Sequence, residues 1–155
     1  MPPSGRALAC AALLADAAPA VVDIVREEAG RQRSDLSVVQ LRAISYLSRH
    51  SDASLSELAE VVGLTLPATS RLVDGLVTRR LVSRGEAQGD RRKLTLHATA
   101  AGRAVLRGVR ESAHGRLAGL LDGFPAADLD ALSRALAALQ ERLPGGALAA
   151  QGAAP

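Results

Sequence analysis

The strongest constraint on the fold is a short stretch in the middle of the chain. Ser54 stands before the run Leu55 to Val62 with Glu57 at the third helical position, the reciprocal arrangement of a capping box. Gly63 follows and supplies the left-handed backbone that a tight turn needs. Thr65 then caps a second helix running to about Arg80, with Pro67 in its first turn, where a missing N–H does no harm. Two short helices joined by a glycine turn make a helix-turn-helix. The motif also requires a small residue where the helices touch and apolar residues locking the second helix, and Ala59 and Leu72 meet these needs. Thr69 fills a spot where Val or Ile is commoner.

Elements on either side extend the motif. Val82-Ser83-Arg84 and Lys93-Leu94-Thr95-Leu96-His97 alternate as half-buried strands around a polar loop, Gly85 to Arg92, and so predict a β-hairpin wing. Upstream, Ser34 or Ser37 caps a core helix to about residue 49, with Val38, Leu41, Ile44 and Leu47 on one face. A first helix over about 6–31 carries Leu14, Val21, Val22 and Val25 in one stripe and stops at Gly30. Pro19 inside it costs about 3 kcal/mol, which predicts a kink or a helix that begins near it. Thr99 caps a helix over about 100–122, and Pro125 opens a last one whose Leu129, Leu132, Leu136, Leu139 and Leu143 form a heptad seam. That seam fits packing within one chain and joining two chains equally well. Residues 1–5 and 144–155 read as disordered tails, leaving one folded domain over 6–143.

Composition narrows the class further. The apolar 48% is almost all Ala, Leu and Val, and the aromatics are only Tyr46 and Phe124, so the chain reads as mainly α and large enough for a core without staples. Its single cysteine, Cys10, suits a reducing compartment. Arg6 and the apolar run behind it loosely imitate a signal peptide, but Asp16 interrupts the stretch, and no run approaches the ~18 apolar residues of a membrane span. A cytoplasmic protein is expected. Net charge is +3 but uneven: residues 66–116 hold eleven Arg and Lys against four Asp and Glu. Such asymmetry points to a surface that meets a polyanion.

In a helix-turn-helix the N-terminal half of the second helix enters the major groove, here offering Pro67, Ala68, Thr69 and Arg71 to base edges while Ser70 holds phosphate. Arg71 has two open roles, guanine recognition or a grip on phosphate. Arg84, Asp90, Arg91, Arg92 and Lys93 belong to the wing. The runs Ser54-Leu-Ser-Glu-Leu-Ala-Glu, Ser70-Arg-Leu-Val-Asp-Gly-Leu, Leu81-Val, Asp90-Arg-Arg, Leu94-Thr-Leu-His-Ala-Thr and Gly102 together resemble the consecutive signatures of the MarR family over about 54–106. The resemblance implies a winged helix-turn-helix over about 36–97. It also implies a homodimer held by helices over 6–31 and 100–143, straddling a palindromic operator of double-stranded DNA, commonly as a repressor. It further implies that Asp90 orients Arg92 into the minor groove, where a narrow A·T tract attracts guanidinium.

The family often responds to an anionic aromatic effector, and a pocket of Leu and Val with Arg42 or Arg49 is expected, although few aromatics are present to stack on a ring. Cys10 lies where the resemblance would place a peroxide-sensing thiol, but Ala and Leu surround it and Tyr46 is distant. Glu111 and His114 are spaced like metal ligands yet read as a solvated pair, and neither a cofactor nor a metal is expected. No phosphate loop, nucleophile elbow or HExxH stretch points to an enzyme. A winged helix devoted to protein contacts, another winged-helix family and a nonspecific architectural protein remain as rivals. Three cations at the wing tip argue against the first of these.

Overall fold

A computed structural model describes residues 2–32, 35–87 and 90–143, with the side chains of 86–93 outside that description. The order is α1 (Gly5–Arg31), α2 (Val38–Leu47), α3 (Leu55–Val62), α4 (Leu66–Thr78), β1 (Val82–Ala87), β2 (Asp90–Ala98), α5 (Ala100–Leu121) and α6 (Ala126–Arg142). It is a mainly helical winged helix-turn-helix with one antiparallel two-stranded sheet.

Local signals set most of the boundaries. Ser37, rather than Ser34, caps α2, forming a full capping box with Gln40. Ser54 and Glu57 do the same for α3. Thr65 and Thr99 accept from Ala68 N and Gly102 N. Beyond α4 and its cap Arg79, Arg80 turns left-handed at φ 59°, and Leu81 N donates back to Leu76 O at 2.9 Å.

Three expectations change. α1 starts at Gly5, not near Pro19, because the Ser4 hydroxyl accepts from Ala7 N at 3.2 Å. Pro19 therefore sits inside a continuous helix. The N–H it lacks would have donated to Ala15 O, which lies in an exposed turn where water can serve instead. Second, β1 and β2 reach beyond the expected strands into Gly85 to Arg92, since ladder pairing follows backbone groups and needs no side-chain alternation. The register jumps between Glu86, opposite Leu94, and Ala87, opposite Asp90, so 91–93 fall in the irregular stretch. Third, α1 is long and apolar enough to cross a membrane by length and composition, with a mean hydropathy of 1.9 that many alanines supply without any long uninterrupted apolar run.

The core gathers α2, α3, α4, the wing and α5. Ile44, Leu58, Val73, Leu76, Val82 and Val109 are its largest fully buried aliphatic side chains. Only the C-terminal part of α1 joins, through Ile24, Glu28 and Ala29. Gln32 Nε2 donates to Ser112 Oγ at 2.9 Å, and Arg116 pairs with Glu27, whose carboxyl it holds below the usual carboxylate range. The predicted stripe on α1 is mostly exposed, with Val25 alone of the four packed against the core. α6 has no buried residue at all, so its heptad seam is not used within the protomer.

Candidate nucleic-acid interface

The turn between α3 and α4 is built as its residues dictate. Gly63 takes φ 72°, a conformation costly for any residue with a Cβ, and the N–H groups of Gly63 and Leu64 both donate to Ala59 O. Leu58, Ala59 and Val62 then meet the inner face of α4, where Thr69, Val73 and Leu76 are all fully buried. The opposite face presents Leu66, Pro67, Arg71 and Asp74 to solvent, with Ala68 and Ser70 half-buried beside them.

Thr69 is the correction here. It does not reach solvent, let alone a base edge, because it lies on the same helical face as Val73 and Leu76 at spacings of four and three. Its hydroxyl donates to Thr65 O at 3.0 Å, an acceptor already served by Thr69 N at 2.9 Å. Thr69→Val should therefore strand no partner and raise stability by about 1 kcal/mol, leaving DNA affinity unchanged. Urea titration and fluorescence anisotropy check this; a tenfold loss of DNA affinity would return Thr69 to the interface.

Arg84 projects from β1 back onto α4, where its guanidinium meets Asp74 at 2.5 Å. Both groups are well exposed, so the pair adds little stability, but it ties the wing to the outer face of α4. At the wing's base, Leu96 N donates to Ala53 O at 2.9 Å, and His97 Nε2 lies 3.0 Å from Thr95 Oγ1 and 3.6 Å from Asp52. The wing is thus fixed at its root to both neighbouring elements. Asp90, Arg91, Arg92 and Lys93 belong by backbone to β2, and the roles assigned to their side chains lie outside the described residues.

A cleft of about 440 Å³ opens between α1, α2 and α5, walled by Val21, Val25, Leu41, Val109 and Leu117 with Arg42 at its edge. Ser45 in its lining accepts from Arg110 Nη2 at 2.7 Å and from Arg49 Nη2 at 2.9 Å. Desolvation lowers both guanidiniums from the usual arginine range, and Arg110's charge lowers Arg49 further. Two cations converging on one neutral hydroxyl make a ready seat for an anion. Arg42 and Arg49 were legible as candidates; Arg110 was not, because α5 reaches Ser45 from far along the chain. Cys10 is exposed on α1, and Glu111 and His114 are exposed on α5.

This geometry, two short helices meeting at a left-handed glycine beside a rooted wing, defines a winged helix-turn-helix protein. Comparison with known proteins is more specific. The family model described as the MarR family matches residues 34–93. The uncharacterized HTH-type transcriptional regulator YfiV of Bacillus subtilis is 28% identical over 109 residues, 70% of this chain and 68% of YfiV. Rv1404 from Mycobacterium tuberculosis superposes with a TM-score of 0.79 at 29% identity, covering 91% of this chain and 95% of that one. Streptococcus pneumoniae FabT, solved in complex with DNA, shares the fold at a TM-score of 0.66 and 18% identity, over 88% of this chain and 95% of FabT. Residues 34–93 thus match the MarR family, and the chain as a whole is similar in sequence and fold to transcriptional regulators of that kind and not to enzymes.

Proposed function

We propose that this protein is a cytoplasmic repressor that binds a palindromic operator as a homodimer. The observation that carries the reading is the distribution of exposed apolar side chains. Of the large hydrophobics exposed among the described residues, most lie on α1 or from the end of α5 through α6, including Leu13, Leu14, Leu120, Leu132 and Leu136. A lone protomer would leave these faces in water at a cost of about 25 cal/mol per Å². Paired across a two-fold axis they bury one another, and two winged lobes then face successive major grooves. Residues 36–97 act as the DNA-binding part, and 6–31 with 100–143 as the dimerising part. Pro67, Ala68 and Arg71 face the bases, Ser70 the phosphates, and Arg92, oriented by Asp90, the minor groove, with Arg84, Arg91 and Lys93 the other DNA-binding residues of the wing.

The test is binding to duplex DNA from upstream of the protein's own gene, against a shuffled duplex, at two salt concentrations. Selective binding that weakens with salt, and by about tenfold in Arg92→Ala, is the expected result. Binding without selectivity, or none lost in Arg92→Ala, would favour an architectural or protein-contact role.

The cleft fits an effector, with the carboxylate of a small amphiphile between Arg110 and Arg49 and an aliphatic body along Val21, Val25 and Leu41. With no Phe, Tyr or Trp in the lining and the His114 imidazole its one ring, octanoate should raise the melting temperature more than salicylate does. In Arg110→Ala both shifts should vanish; retention of either would place the anion elsewhere.

A further inference from the structure

The dimer reading accounts for the apolar residues of the terminal helices but not for Leu64 and Leu66. These two flank Thr65 at the entry to α4, 37% and 49% exposed, far in sequence from α1 and α6. Pro67, also exposed, continues the same surface. One turn further along, Arg71 follows Pro67 at i+4 and Asp74 follows Arg71 at i+3, so the three share a face. Asp74 is engaged by Arg84. Arg71 is thus the cation this face of α4 offers, with Ser70 at its margin and an apolar leading edge ahead of both.

The hydrogen-bonding capacity of such a face is small. Leu64, Leu66 and Pro67 offer no side-chain donor or acceptor, and the Thr65 hydroxyl is turned to Ala68 N. In the major groove, the feature of a base edge that an aliphatic group can recognise is the thymine 5-methyl. We infer that the leading edge of α4, Leu66 with Leu64 and Pro67, reads thymine methyl groups in each operator half-site. The inference rests on the DNA-binding reading above and adds the base class that reading leaves open. The occupant is duplex DNA because the edge is continuous with Arg71 and with the positively charged segment that includes the wing.

The test begins with selection of duplexes from a random pool by the full-length protein. In the enriched site each thymine is replaced by deoxyuridine, which removes only the methyl, and binding is measured by anisotropy. One or two positions per half-site should lose about fourfold in affinity on that replacement, the equivalent of one buried methyl. In Leu66→Ala the thymine-to-uracil ratio at one of them should fall to about one, while circular dichroism and binding to the uracil duplex persist. Leu64→Ala serves as a second variant should Leu66→Ala fold poorly. Enrichment of a motif with no methyl-sensitive thymine, or a ratio unchanged in both variants, overturns the inference and leaves the regulator reading intact. Failure to enrich any duplex overturns both.

Discussion

The double variant Leu132→Asp and Leu136→Asp should sediment as a folded monomer and bind a palindromic duplex about a hundredfold more weakly than the wild type. The prediction follows from where α6 stands. It contributes no buried residue to the protomer, and both leucines are already exposed, so aspartate there disturbs no intramolecular packing. At a two-fold seam, however, each chain would place two carboxylates against their counterparts in apolar surroundings, where an unpaired charge costs several kcal/mol. The loss of DNA affinity has a separate origin. One lobe docked on a half-site holds the second at a high effective concentration, and a monomer forfeits that gain without altering a single protein–DNA contact. Analytical ultracentrifugation and anisotropy with half-site and full-site duplexes measure the two effects independently. A variant that remains dimeric would assign the interface to α1 and the end of α5. A monomer that keeps full affinity for the full site would remove dimerisation from the mechanism.

Seam and helix-turn-helix were legible in the sequence for different reasons. The helix-turn-helix is written in local chemistry: the Ser54 and Glu57 box, Gly63 at positive φ, and Thr65 ahead of Pro67 each fix a boundary through contacts only a few residues apart. The heptad seam was equally visible in Leu129 to Leu143, but its partner was not, because periodicity reports that a face is apolar and not what covers it. Thr69 was misplaced by reading α4 as a position along a groove instead of as a face; its spacing to Val73 and Leu76 already put it inside. Arg84 was visible as a basic wing residue, yet its tie to Asp74 depends on β1 folding back over α4. Arg110 was out of reach altogether, since only the crossing of α2 and α5 brings it to Ser45, 65 residues away. Leu64 and Leu66 had one signal that could have found them: two leucines directly after the turn glycine, where a solvated connection would carry polar residues.

Gly102→Ala should cost about 3 kcal/mol and lower the melting temperature by roughly 10 °C. Gly102 lies in the first turn of α5, where its N–H donates to the capping hydroxyl of Thr99 at 3.0 Å. A Cβ built there would stand 2.2 Å from Leu81 O and 3.1 Å from Leu81 C. Neither atom is the end of a flexible side chain. Leu81 O already accepts from Thr99 N at 3.0 Å, and the Thr99 hydroxyl reaches Arg80 O at 2.8 Å, so the end of α4, the start of the wing and the start of α5 are knotted through these few groups. Making room for one methyl means moving α5 off the wing or breaking that set. Because α5 links the winged lobe to the terminal helices, the same displacement should also weaken operator binding, by more than the loss of folded protein explains. Gly115→Ala is the matched control: the site is exposed, nothing lies within 4 Å of its Cβ, and helix propensity alone predicts a gain of up to about 1 kcal/mol. Thermal and urea denaturation of the two variants decide the matter. Opposite signs would show that glycine is needed at this place for the close approach of Leu81's backbone, and equal losses would show that steric closeness at Leu81 has nothing to do with it.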